Sequence, residues 1–154
     1  MIRNVLRSGA CLLLLTSGAN AAEPRDNKAV ADFVAAINSK DVTGLKALLA
    51  DDFVMHKRDA SCGAQVSDRD CMLAYLQRTL LKPNARLTVG MVKSEREITR
   101  ANLTISSDAI RTAGVKQIAV TKEFVTTNGK IQSILTTLRT EDPDTAAYKK
   151  RLSS

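Results

Sequence analysis

Histidine, cysteine and aromatic residues are all scarce in this chain. His56 is the only histidine among 154 residues, tryptophan is absent, and the aromatics are two tyrosines and three phenylalanines. Cysteine occurs only at 11, 62 and 71. A structural zinc site draws four nitrogen or sulfur ligands from such residues, so no resident metal or cofactor is expected. Nucleic-acid binding would call for clustered basic residues interleaved with stacking aromatics. Here the charges are mixed along the chain, as in Lys93-Ser94-Glu95-Arg96-Glu97, and Phe33, Phe53 and Tyr75 read as core or pocket lining. There is no Gly-x-Ser-x-Gly elbow, no glycine-rich phosphate loop, no internal repeat and no low-complexity linker.

Long apolar runs are missing too, apart from one at the N-terminus. Arg3 and Arg7 precede a short apolar run centred on Cys11–Thr16, and Ala19-Asn20-Ala21 supplies the small-x-small pattern that signal peptidase accepts. The run is too short for a permanent span of a bilayer about 30 Å thick. The expectation is a signal peptide over 1–21, one domain over 22–154, a periplasmic or secreted location and no membrane contact after cleavage. Losing Arg3 and Arg7 lowers the formal charge from +7 to +5, a modest attraction for anions. Cleavage also removes Cys11. Export to an oxidising compartment then predicts a Cys62–Cys71 disulfide, two free thiols being the alternative.

Hydrophobic periodicity sets out the elements. Asn27 to Ser39 carries Val30, Phe33, Val34 and Ile37 on one helical stripe. Asp41 caps a second helix with Val42, Leu45, Leu48 and Leu49 on its apolar face; Asp51-Asp52 closes it, and Phe53 to Lys57 begins a strand. Residues 58–66 read as a loop. Ser67 caps a third helix, with Asp68 and Asp70 in its first turn, a stripe of Met72, Leu73, Leu76 and Leu80, and Pro83 as its stop. From Ala85 onward the pattern is mainly β. A strand follows over Leu87–Val92, then a weaker alternating segment over Thr99–Ile105. A helical turn stands between Ser107 and Gly114, and two long β segments flank Asn128-Gly129, the strongest local hairpin signal. Asp142-Pro143 starts a short C-terminal helix ending in Lys149-Lys150-Arg151. Helices segregated from a run of antiparallel strands argue for α+β.

Three pieces in this order resemble the NTF2-like, or SnoaL-like, superfamily, in its exported bacterial form. They are the helix–Lys40-Asp41–helix–Ala50-Asp51-Asp52–strand module, helix three from Ser67 to Leu81, and the hairpin from Phe124 to Leu135. The resemblance implies a cone: helices packed on a strongly curved antiparallel sheet, an inner cavity and often a homodimer formed through the outer sheet face. The family mixes ketosteroid isomerases, polyketide cyclases and dehydratases with non-catalytic binding domains, so the fold alone assigns no chemistry. In the isomerases a helix-one tyrosine, a strand-one aspartate and a protonated aspartate perform the reaction. The corresponding positions here hold Phe33, about Lys57 and about Ile118, and all three chemistries are missing.

The expected pocket wall is Phe33, Ile37, Phe53, Met55, Leu76 and Phe124, and the expected ligand is a small apolar or amphipathic molecule. His56 and Lys57 are the candidate catalytic groups, His56 as a proton carrier near neutral pH and Lys57 as an anion receptor or nucleophile. Strand alternation puts Phe53, Met55 and Lys57 on one face and Val54 and His56 on the other, so only one set would face a cavity. An enzyme of the isomerase, cyclase or dehydratase kind using His56 or Lys57 is the alternative function. A protein-interaction module acting through the sheet face is the third.

Overall fold

The computed structural model describes residues 25–57 and 61–153, with side chains from Lys28 onward. The expected signal peptide, Arg58 and Asp59 lie outside the described residues. The elements run α1 (Arg25–Ser39), α2 (Val42–Leu48), α3 (Asp68–Leu76), β1 (Arg86–Glu95), β2 (Ile98–Ser106), α4 (Asp108–Thr112), β3 (Ile118–Thr127), β4 (Lys130–Leu138) and α5 (Pro143–Leu152). The four strands form one antiparallel sheet in the order β1-β2-β3-β4, and the architecture is α+β.

The helix starts follow from local chemistry. The Asp41 carboxylate accepts from Gly44 N at 2.8 Å, Ser67 Oγ from Asp70 N at 3.1 Å, Ser107 Oγ from Ile110 N at 3.2 Å and the Asp142 carboxylate from Thr145 N at 2.8 Å. Each occupies one of the backbone donors that a helix start leaves without a partner. Between α1 and α2 the chain reverses at Lys40, held at φ 59°, and Asp41 N donates back to Ala36 O at 2.8 Å. The last hairpin turns on Asn128 and Gly129, both at positive φ (53° and 76°), the backbone that an Asn-Gly turn favours.

Helix three departs from a simple α-helix. After Leu76 it continues as a π-helical turn over Gln77–Leu81, closed by Lys82 N donating to Gln77 O at 2.9 Å. Proline at 83 has no N–H to offer Thr79 O, so the regular ladder cannot run on; separately, the Thr79 hydroxyl donates back to Tyr75 O at 2.8 Å.

The expected strand at Phe53–Lys57 is corrected. Only a parallel bridge of Leu49 to Ile131 and two bonds, Ala50 N to Ile131 O (2.9 Å) and Val54 N to Gln132 O (2.8 Å), join this segment to β4. The next donor, Met55 N, goes to Asp68 Oδ2 of α3 at 3.0 Å. The ladder ends there, and the chain bends at His56-Lys57.

The inner face of the sheet carries Leu87, Thr99, Ala101, Leu103, Ile105, Ile118, Val120, Lys122, Phe124 and Ile134, all buried. Irregular register between Val89 and Val92 and between Val125 and Thr126 bends the sheet around this face. Helix α1 packs across it, so that Phe33 meets Phe124 edge to face, centroids 5.3 Å apart at 68°. Each ring, buried completely, contributes about 2–3 kcal/mol by leaving water. Cys62 is bonded to Cys71, tying the chain ahead of α3 to its buried first turn.

Candidate functional site

A cavity of about 540 Å³ lies between the start of the bent segment, α3 and the β3–β4 end of the sheet, within the range of small-molecule pockets. The bent segment contributes Met55, His56 and Lys57, α3 contributes Met72, Tyr75 and Leu76, β3 contributes Lys122, and β4 contributes Ile134, Leu135 and Thr136. Because the chain bends instead of pleating at His56-Lys57, both candidate catalytic side chains line the cavity together with Met55. The choice between two alternating sets therefore does not arise.

Of the six residues expected to form the wall, Met55 and Leu76 line the cavity. Phe33, Ile37, Phe53 and Phe124 are core residues, none more than 4% exposed. Phe33 stands one layer behind, beneath Lys122, whose Nζ lies 5.9 Å from the ring centroid. His56 and Lys57 are exposed and form the solvent side of the site.

Lys122 is the residue that sequence reasoning missed. It is 5% exposed, and its Nζ donates to Thr136 Oγ1 at 2.7 Å. Burial alone pushes the ammonium down from an ordinary value near 10.5 to about 8, since withdrawal from water disfavours the charged form. Among the described residues no carboxylate pairs with it. The register explains its place. Lys122 pairs across the sheet with Ala101 of β2 and Thr136 of β4, so a methyl group and a hydroxyl flank it. The signal was in the alternation: Ile118, Val120 and Phe124 share its face, and a lysine inside such a set is headed for the interior.

A wider groove of about 640 Å³ runs along α2 and the β3–β4 turn. Among its charged side chains Lys130 donates to Ala47 O, Arg69 pairs with Asp51 and Lys46 with Asp70, and none is as fully buried as Lys122. Among the described residues no group of three or more His, Cys, Asp or Glu side chains could hold a metal ion. No described helix is long and apolar enough to cross a membrane.

The family model of the SnoaL-like domain matches residues 30–134. No curated protein matches the chain. Among solved structures, wild-type IdmH of Streptomyces antibioticus, a proposed polyketide cyclase, superposes with a TM-score of 0.62 at 19% identity, covering 85% of this chain and 100% of that one. An LEH-like epoxide hydrolase of M. tuberculosis gives 0.59 at 15% identity, covering 84% and 92%. An NTF2-like protein of unknown function from Cytophaga hutchinsonii gives 0.55 at 15% identity, covering 75% and 91%. At these identities the likeness is one of fold.

Proposed function

This chain belongs to the SnoaL-like family, within the NTF2-like superfamily, and from that premise we propose that it is an exported protein that binds a small amphipathic molecule in the cavity beside α3, as a binder rather than a catalyst. The observation that carries this reading is the composition of the cavity: hydrocarbon from Met55, Met72, Leu76 and Ile134, a polar spot where the buried Lys122 donates to the exposed Thr136, and His56, Lys57 and Tyr75 on the solvent side. Enolisation chemistry needs a base at the substrate carbon and donors at the developing oxyanion. At two of the positions that the family resemblance marks for those groups, Phe33 and Ile118 are buried hydrocarbon. Export rests on the N-terminal pattern of residues 1–21 together with the disulfide.

Native mass spectrometry of the purified protein tests the binder reading. A retained small molecule, or a rise in melting temperature with amphipathic ligands that Ile134→Trp removes by filling the cavity, is the expected result. No isomerisation of a 3-oxo-steroid above the buffer rate is expected. The second reading, an enzyme, is favoured by one feature: His56 and Lys57 both line the cavity, and a positioned imidazole contributes roughly 10²–10⁴-fold by acid–base catalysis. Turnover of a small carbonyl or epoxide substrate that His56→Ala abolishes would replace the binder reading by the enzymatic one.

A further inference from the structure

The charge balance of the cavity narrows the class of its occupant. His56, Lys57 and Lys122 line it, and among the described residues no aspartate or glutamate does. The groups that face Lys122 from the packed elements supply no counter-charge either: α1 offers the Phe33 ring, β2 offers Ala101 and β4 offers Thr136. An ammonium has three N–H donors, and one of them reaches Thr136 Oγ1. The ring face gives partial compensation for the charge. Burying an ammonium without a closely placed counter-charge carries a desolvation penalty, and the fold holds no such partner among the described residues. The Thr136 hydroxyl, having accepted from Lys122, keeps its own proton free to donate. Cation and hydroxyl donor thus sit side by side, Lys122 buried and Thr136 reaching solvent, next to the hydrocarbon of Met55, Met72, Leu76 and Ile134, which is the arrangement that a carboxylate head group satisfies.

Resting on the amphiphile-binding reading above, we propose that the cavity takes a carboxylate amphiphile, with the carboxylate on Lys122 Nζ and Thr136 Oγ1 and the hydrocarbon body along Met55, Met72, Leu76 and Ile134. His56 and Lys57 at the open side add a positive field that draws the anion in.

Titration calorimetry with octanoate and 1-octanol, which share a hydrocarbon chain, tests this on the disulfide-intact protein. Octanoate is expected to bind at least about tenfold tighter than octanol, the discrimination of one charge-assisted bond. At pH 8.5 octanoate binding should take up protons, read from the dependence of the heat on the buffer's ionisation enthalpy, because pairing with the anion returns the amine to its charged form. Lys122→Met should erase both the preference and the proton uptake while octanol still binds. Lys57→Met should change the preference less than about threefold, as expected of an exposed, screened charge. Equal affinities of the wild-type protein for the two ligands would overturn the carboxylate proposal and leave the amphiphile reading standing. Binding of neither would overturn both. Loss of the preference in Lys57→Met but not in Lys122→Met would also overturn the proposal. The wild-type comparison depends on no variant, so a folding defect in Lys122→Met cannot shelter the proposal.

Discussion

Lys122 shows how one buried cation governs stability as well as recognition. Its ammonium is pushed from near 10.5 to about 8 by burial. Between these two values the unfolded chain holds more protons than the folded one. By linkage, stability therefore rises with pH across that window, and the full penalty of the buried charge is present below pH 8. The shift corresponds to roughly 3 kcal/mol. Lys122→Met replaces the ammonium by hydrocarbon of similar length and is expected to be more stable than wild type at pH 7, by about 1–3 kcal/mol. It should also lack the wild-type rise above pH 8. Urea denaturation of both proteins at pH 7 and pH 9.5 checks the sign and the convergence of the two curves. A Lys122→Met protein less stable than wild type at pH 7 would contradict the account of an uncompensated charge. At this scale the sequence was partly legible. The same alternation that buries Phe124 and Val120 announces that Lys122 points inward. That no described carboxylate pairs with it is a matter of which strands flank β3, and no local pattern encodes that.

Among the elements, α3 and the chain leading into it set the wall of the cavity. Met72, Tyr75 and Leu76 present themselves from one side of α3, and the Cys62–Cys71 bond anchors the preceding chain to its first turn. Closing so short a loop stabilises the fold by roughly 2–3 kcal/mol. Reduction, or the pair of changes Cys62→Ser and Cys71→Ser, is expected to lower the unfolding free energy by about that amount in urea. It should also weaken ligand binding more than a change at the distant Asn128-Gly129 turn does. Two alkylatable thiols in freshly isolated protein would refute the bridge outright. Helices α1, α2, α4 and α5 were legible from their caps and stripes, because these depend on residues within a turn of one another. The Phe53–Lys57 strand was misread because its pattern is strand-like while its hydrogen-bond partners are not local. Asp68, thirteen residues on from Met55, takes the donor that β4 would need. The π-helical turn after Leu76 escaped for a similar reason, since the stripe through Leu80 reads as continuous helix.

For the whole molecule the outer face of the sheet bears on assembly. The outer face of the sheet carries Thr121, Glu123 and Val125 on β3, opposite Thr137, Leu135 and Ser133 on β4. Leu135, which also borders the cavity, is 43% exposed, and Met91 on β1 is 59% exposed. A sheet surface that is partly apolar favours a second copy as its cover. Light scattering is expected to report a homodimer, and Val125→Glu, which places a charge on that face, to shift it toward monomer. A wild-type monomer at high micromolar concentration would count against this expectation.

What the chain determined by itself is everything whose cause is short-ranged. The caps at Asp41, Ser67, Ser107 and Asp142, the Asn128-Gly129 turn, the stop at Pro83 and the alternation along β3 each involve residues a few positions apart, and from them the α+β class and the order of elements follow. The tertiary structure alone decided the cavity. Met55, Leu76, Lys122 and Thr136 come from four separate segments, and they converge only because the irregular registers at Val89/Val92 and Val125/Thr126 curve the sheet while α1 fills its hollow with Phe33. That filling moved Phe33, Ile37, Phe53 and Phe124 out of the wall and into the core, and it left a lysine facing the remaining space. The physical reason is packing: an apolar stripe states that a side chain will leave water, but which neighbours it meets is set by how whole elements interlock at near-crystalline density.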